Sequence, residues 1–150
     1  MNTTSIKNRN DAYVSIIENL SRKEQLIFQL IKENEPCTSF DISEKFLLPI
    51  NEITGRVTGL KNSFLIVEAG SKENKSTGKK NTLYRCVNID ERIELVNAHF
   101  VELRDQKDKL INDFNLGLSE FTKSLVKKQL DKINKQIKSL SNILEKIQAA

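Results

Sequence analysis

The chain has 150 residues, 38% hydrophobic and 29% charged, which suits one ordinary domain or a small domain with an appendage. No stretch approaches the ~20 continuous apolar residues of a membrane span, and the polar start MNTTSIKNRND lacks the apolar run of a signal peptide. A cytoplasmic protein with no membrane partner is therefore expected. The net charge of +4 fits a polyanionic partner, and it is concentrated: between Gly70 and Arg85, Lys72, Lys75, Lys79, Lys80 and Arg85 stand against the single acid Glu73.

Taken in chain order, Asp11 to Leu20 places Tyr13, Ile16, Ile17 and Leu20 on one face of a short helix. Ser21 and Glu24 form a capping box for a second helix, whose apolar positions are Leu26, Ile27, Leu30 and Ile31, and which stops at Asn34-Glu35-Pro36. Thr38 caps a third helix, with Asp41 placed to cap in return and Phe40, Ile42 and Phe46 apolar. Leu47-Leu48-Pro49 ends it. A fourth helix runs from Ile50 to about Asn62 and buries Ile50, Ile53, Val57 and Leu60. The period then changes to that of strands. Leu65–Ala69 and Thr82–Val87 form a β-hairpin, joined by a long polar tip from Gly70 to Asn81.

From Ile93 the pattern is heptad. Ile93, Val96, Phe100, Leu103, Lys107, Leu110 and Phe114 make one seam, entered through Asp90 as cap and closed by Asn115-Leu116-Gly117 with Gly117 suited to a left-handed terminus. Ser119 caps the next helix, whose seam is Val126, Leu130, Ile133, Ile137, Leu140, Leu144 and Ile147. At ~40 Å each and with so short a link, the two helices fold back as an antiparallel, coiled-coil-like hairpin. The first carries net −3 between Asp90 and Asp113 and the second net +4 between Ser119 and Gln148, which favours their pairing. Leu95, Ile111, Leu118, Phe121, Leu125 and Ile143 widen the stripes beyond what two helices cover, so self-association through this hairpin is expected. The fold class is thus mostly α with a small β-hairpin, in two domains, 11–88 and 89–150.

Catalytic chemistry has little material here. His99 is the sole histidine, no P-loop, GxSxG or HExxH spacing occurs, and Cys37 and Cys86 share no ligand spacing. No enzyme activity, cofactor or metal is expected. Duplex DNA binding fits better, because it needs a helix with short polar side chains outward and cations on flanking loops. Opposite the apolar stripe of the fourth helix lie Asn51, Thr54, Gly55, Thr58, Gly59 and Asn62, flanked by Glu52, Arg56 and Lys61. Two glycines in a helix cost ~1 kcal/mol each, which is tolerable where they let the helix approach another surface. Lys72, Lys75, Lys79 and Lys80 supply the loop cations, and Thr38 joins the candidate DNA contacts from the helix before.

The run Cys37-Thr38, Ile42, Leu48-Pro49-Ile50-Asn51-Glu52-Ile53-Thr54-Gly55-Arg56-Val57, Leu60, Leu65-Ile66-Val67, Thr77-Gly78-Lys79 and Leu83-Tyr84-Arg85 resembles the small winged helix-turn-helix proteins of bacteriophages and mobile elements, similar in topology to MarR-type regulators. The resemblance covers a little under half of the chain. It implies a sequence-specific DNA-binding transcriptional regulator, with 50–62 as recognition helix and 70–81 as wing. Lys79 stands where the family's wing motif has arginine, which keeps the charge and loses bidentate geometry. The segment after Asn88 lies outside the resemblance. Two rival readings are a packaging subunit like the small terminases of phages, which also join a helix-turn-helix module to a helical hairpin, and a protein-binding inhibitor that reuses the winged-helix fold.

Overall fold

The computed structural model describes residues 11, 13–75, 77–115 and 118–148, with side chains of the last helix described as far as Glu145. The expected role of Gly117 and the seam position Ile147 lie outside the described residues. The chain divides into two compact units, one ending at Arg92 and the other beginning at Ile93.

In the first unit, α1 (residues 13–18) turns its Tyr13, Ile16 and Ile17 onto the core. The next helix, α2 (Arg22–Asn34), starts at the expected capping box: the Ser21 hydroxyl accepts from the Glu24 amide at 3.3 Å and the Glu24 carboxylate accepts from the Ser21 amide at 3.1 Å. Its buried face is Ile27, Phe28, Leu30 and Ile31, while Leu26 is exposed. That corrects the expected stripe, and the reason is rotational: the core lies about one residue further round the helix, where Phe28 falls instead of Leu26.

A two-residue strand, β1 (Cys37–Thr38), leads into α3 (Ser39–Phe46), where Thr38 and Asp41 cap each other. The following helix, α4 (Ile50–Asn62), buries Ile53, Val57 and Leu60. Ile50 was expected in that stripe and is exposed, because the first turn projects past the core. The end of α4 is a Schellman turn: Phe64 takes φ 55°, its amide donates to the Lys61 carbonyl at 2.9 Å, and the Leu65 amide donates to the Leu60 carbonyl at 3.0 Å. No glycine marks it.

Strands β2 (Ile66–Glu73) and β3 (Lys80–Cys86) form the hairpin, with β1 added antiparallel along the other side of β3, so the sheet order is β1-β3-β2. The expected two-stranded element is therefore three-stranded. The strands also run further than expected, pairing Ser71 with Thr82, Lys72 with Asn81 and Glu73 with Lys80, which leaves 74–79 as the loop. A bulge between Glu68 and Ser71 contains Gly70 at φ 110°. Tyr84 and Cys86 of β3 pack against the helical core.

A long helix, α5 (Ile89–Phe114), begins in the first unit. Its cap is Asn88, whose side-chain oxygen accepts from the Glu91 amide at 2.9 Å, rather than the expected Asp90, which lies inside the first turn. Glu91 and Arg92 are bonded back to Arg85 and Ser63, and this keeps the first turn of α5 with the first unit. With α6 (Glu120–Gln148), capped by Ser119, α5 makes a helical hairpin. Val96 and Leu140 each lie 22 residues from position 118, and Leu103 and Ile133 each 15, and these four are the buried positions of the hairpin. They are seam positions of the hairpin through which self-association is expected, and each is buried within this chain. Ile93, Phe100, Leu110, Val126, Leu130, Ile137 and Leu144 are half-buried around them, and Phe114 is exposed.

Candidate nucleic-acid interface

The outward face of α4 follows from the inward one. With Ile53, Val57 and Leu60 turned to the core, Asn51, Thr54, Gly55, Thr58 and Asn62 are exposed. The Thr58 hydroxyl donates to the Thr54 carbonyl at 3.0 Å and the Thr54 hydroxyl to the Asn51 carbonyl at 3.3 Å, so both oxygens present lone pairs outward. The Asn51 side-chain oxygen accepts from the Glu52 amide at 3.0 Å, which leaves its NH2 group as a donor. The face therefore offers both donors and acceptors on short side chains.

The two glycines differ. A Cβ at Gly55 would meet nothing within 4 Å, whereas one at Gly59 would stand 3.0 Å from the Glu24 carboxylate. The expected close approach is thus internal at Gly59, where α4 crosses α2. Only Gly55 leaves an open, featureless spot on the helix surface.

The flanking charges are largely spoken for. Lys23 holds Glu52 at 2.8 Å and keeps its carboxyl below the usual glutamate range. Lys61 pairs with Glu68 on β2, and that hydrogen bond raises the lysine above its ordinary value. Lys72 pairs with Asp41 at 2.8 Å. Burial pushes Asp41 up, but the Lys72 ammonium and the Thr38 amide and hydroxyl together hold it low. Arg56 is half-buried toward Glu24 and Glu52, with its Nε lacking a partner. Thr38 is 2% exposed and spends its hydroxyl on the Asp41 amide, so it positions α3 and does not reach a ligand, a correction to its expected place among the contacts.

Lys75, Lys79 and Lys80 remain exposed without an ion pair among the described residues. Lys75 and Lys79 stand on the 74–79 loop, which is closed by the Asn74 amide donating to the Lys79 carbonyl and the Gly78 amide donating to the Asn74 carbonyl, both at 2.8 Å. Below that loop, a cleft of about 370 Å³ is lined by Asp41, Glu44, Lys72, Glu73, Lys75 and Asn81. Its three carboxylates make it a poor phosphate site and leave the loop lysines as the cationic end of the hairpin.

Sequence reasoning missed two features. Leu47, in the α3–α4 link, is exposed and left-handed. Arg92 is buried, and its Nε and Nη2 both donate to the Ser63 carbonyl at 3.2 Å, which puts a cation on the C-terminus of α4. Burial lowers the pKa of Arg92. Tyr13 beside it is pushed up to about 12, mainly by burial, and its hydroxyl donates to the Val87 carbonyl at 2.5 Å. An arginine one turn into a heptad helix carries no sequence signal of this role.

Both thiols are pushed up by burial, Cys37 to about 11 and Cys86 to about 12, so they stay protonated and inert at neutral pH. Among the described residues, no group of three or more His, Cys, Asp or Glu is arranged to hold a metal ion, and no helix is long and apolar enough to cross a membrane. No family model matches the chain, and no curated protein matches it in sequence.

Proposed function

We propose that this chain is a sequence-specific duplex DNA-binding transcriptional regulator of the winged helix-turn-helix kind, of phage or mobile-element type, that self-associates through its α5–α6 hairpin. In this reading α4 is the recognition helix and the β2–β3 hairpin the wing. The observation that carries it is the outward face of α4: short polar side chains around Gly55, where an added Cβ would meet nothing, in a unit that also exposes Lys75 and Lys79 on the 74–79 loop and Lys80 at the start of β3, without an ion pair among the described residues. Such a face fits a groove whose floor presents hydrogen-bonding edges and whose walls are phosphates.

The test is binding of the full chain to random and selected duplexes across a salt series. Lys79→Ala with Lys80→Ala weakens binding to every duplex and lowers the slope of log affinity against log salt by roughly two. Asn51→Ala instead relaxes preference at one base position by about 1–3 kcal/mol. Equal losses on selected and random duplexes for both variants would overturn the division between phosphate and base contacts. No binding to any duplex at low salt would overturn the reading and favour a protein-binding role.

Val101, Phe121 and Leu125 are exposed on the hairpin, with Phe121 at 76%, and this favours a second reading as a packaging subunit that assembles into a ring. Molar mass separates the two: a dimer fits the regulator and about eight or more copies fit the ring.

A further inference from the structure

The link between α3 and α4 carries a leucine that folding does not account for. Leu47 and Leu48 are neighbours in sequence and opposites in environment: Leu48 packs against the core, held by its carbonyl accepting from the Ser43 hydroxyl at 2.7 Å, while Leu47 is 89% exposed. Leu47 also sits at φ 54° and ψ 35°, a left-handed conformation in which a Cβ is strained and glycine is not. Solvation and backbone geometry both disfavour a leucine there.

Ile50, the first residue of α4, is 44% exposed although it opens an apolar helix stripe. Residues four apart share a helix face, so Ile50, Thr54 and Thr58 form one row of aliphatic and methyl groups beside Asn51. The N-terminal end of α4 is thus apolar at its leading corner and polar immediately behind, with Lys23 and Glu52 paired to each other at its side. Across the major-groove edges of the four base pairs, the one group that an aliphatic side chain recognises is the 5-methyl of thymine.

We propose that Leu47 and Ile50 are specificity-determining residues that contact thymine methyl groups as the leading end of α4 enters the major groove. This rests on the DNA-binding reading above. The occupant is duplex DNA because the same face carries hydrogen-bonding side chains and Lys75, Lys79 and Lys80, which have no ion pair among the described residues, are available to the phosphates, a composition that an apolar protein partner would not require.

The experiment selects preferred sites from a random duplex library with the full-length chain, then replaces each thymine in turn by deoxyuracil, which removes the methyl and keeps the pairing. The wild-type protein loses roughly fourfold in affinity at one or two positions, the equivalent of one buried methyl group each. Leu47→Gly abolishes the loss at one of them and keeps or raises the melting temperature, because glycine accepts the left-handed backbone. Ile50→Ala abolishes the loss at the other. Selected sites without thymine, equal affinity for thymine and uracil duplexes, or undiminished sensitivity in both variants would overturn the assignment while leaving DNA binding intact. Failure to bind any duplex at low salt would overturn both readings and mark Leu47 and Ile50 as a protein-facing corner.

Discussion

The two units of this chain dispose of their apolar residues in opposite ways. Residues 10–92 enclose a cluster running from Ile27 to Ile66, with α1, α3 and β3 packed around it, and four of its members, Ile31, Ile53, Leu60 and Leu65, have no exposed surface at all. The hairpin of the second unit buries Val96, Leu103, Ile133 and Leu140 and leaves Val101, Phe121 and Leu125 in solvent. Helices and a sheet that cross one another close a volume, whereas two helices side by side close only a line. Apolar side chains off that line stay in solvent, and the self-association proposed above is what would cover them.

The strongest way to break this contrast is to remove equivalent bulk from each unit. Ile53→Ala, in the closed core, lowers the unfolding free energy by about 2–5 kcal/mol in urea melts followed by circular dichroism. Ile133→Ala, whose neighbours can collapse into the gap from the open sides of the hairpin, costs ~2 kcal/mol or less. Equal losses would show that the hairpin seam is packed as tightly as the core.

A smaller effect sharpens the comparison at the edge of the first unit. Thr38→Ala removes the cap of α3 and costs ~1 kcal/mol at neutral pH. Asp41, which caps in return, has its carboxyl held below its ordinary value of 3.8, so its contribution is present above that value and is lost as pH falls through the lower, folded-state value. The gap between wild type and Thr38→Ala therefore narrows as melts are taken below about pH 4. A gap that stayed constant into acid would separate the threonine cap from the aspartate.

The smallest change in stability, and the one aimed at the second unit, comes from Phe121→Ser with Leu125→Ser. These residues are a turn apart on α6 and both exposed, so the double variant leaves stability within about 0.5 kcal/mol. Its molar mass by light scattering falls below that of the wild-type chain. An unchanged mass at tens of micromolar would place the self-association surface elsewhere.

Much of the first unit was legible because its signals are local. The Ser21–Glu24 and Thr38–Asp41 boxes each need residues only three apart, and both form as their spacing requires. The helical period placed Ile53, Val57 and Leu60 inward for the same reason. Where two candidates stand side by side the sequence is silent: Leu26 against Phe28, Leu47 against Leu48, and Asp90 against Asn88 were decided by where the rest of the chain lies. Of the candidate interface, the sequence marked the polar face of α4 and the loop lysines, but not that Lys61 and Lys72 are paired to Glu68 and Asp41, since those partners meet only in the folded unit.

By itself, then, the sequence determined the helices, the caps at Ser21, Thr38 and Ser119 and the presence of the hairpin, because hydrogen bonds to neighbouring amides and the spacing of apolar residues act within a few positions of the chain. Tertiary structure alone decided that β1 joins the sheet at β3, that Arg92 caps α4 through Ser63, that Gly59 serves an internal crossing while Gly55 does not, and that Leu47 stands out in solvent. Each of these depends on which distant segment comes to rest alongside, and burial and charge pairing are properties of that neighbourhood rather than of the residue.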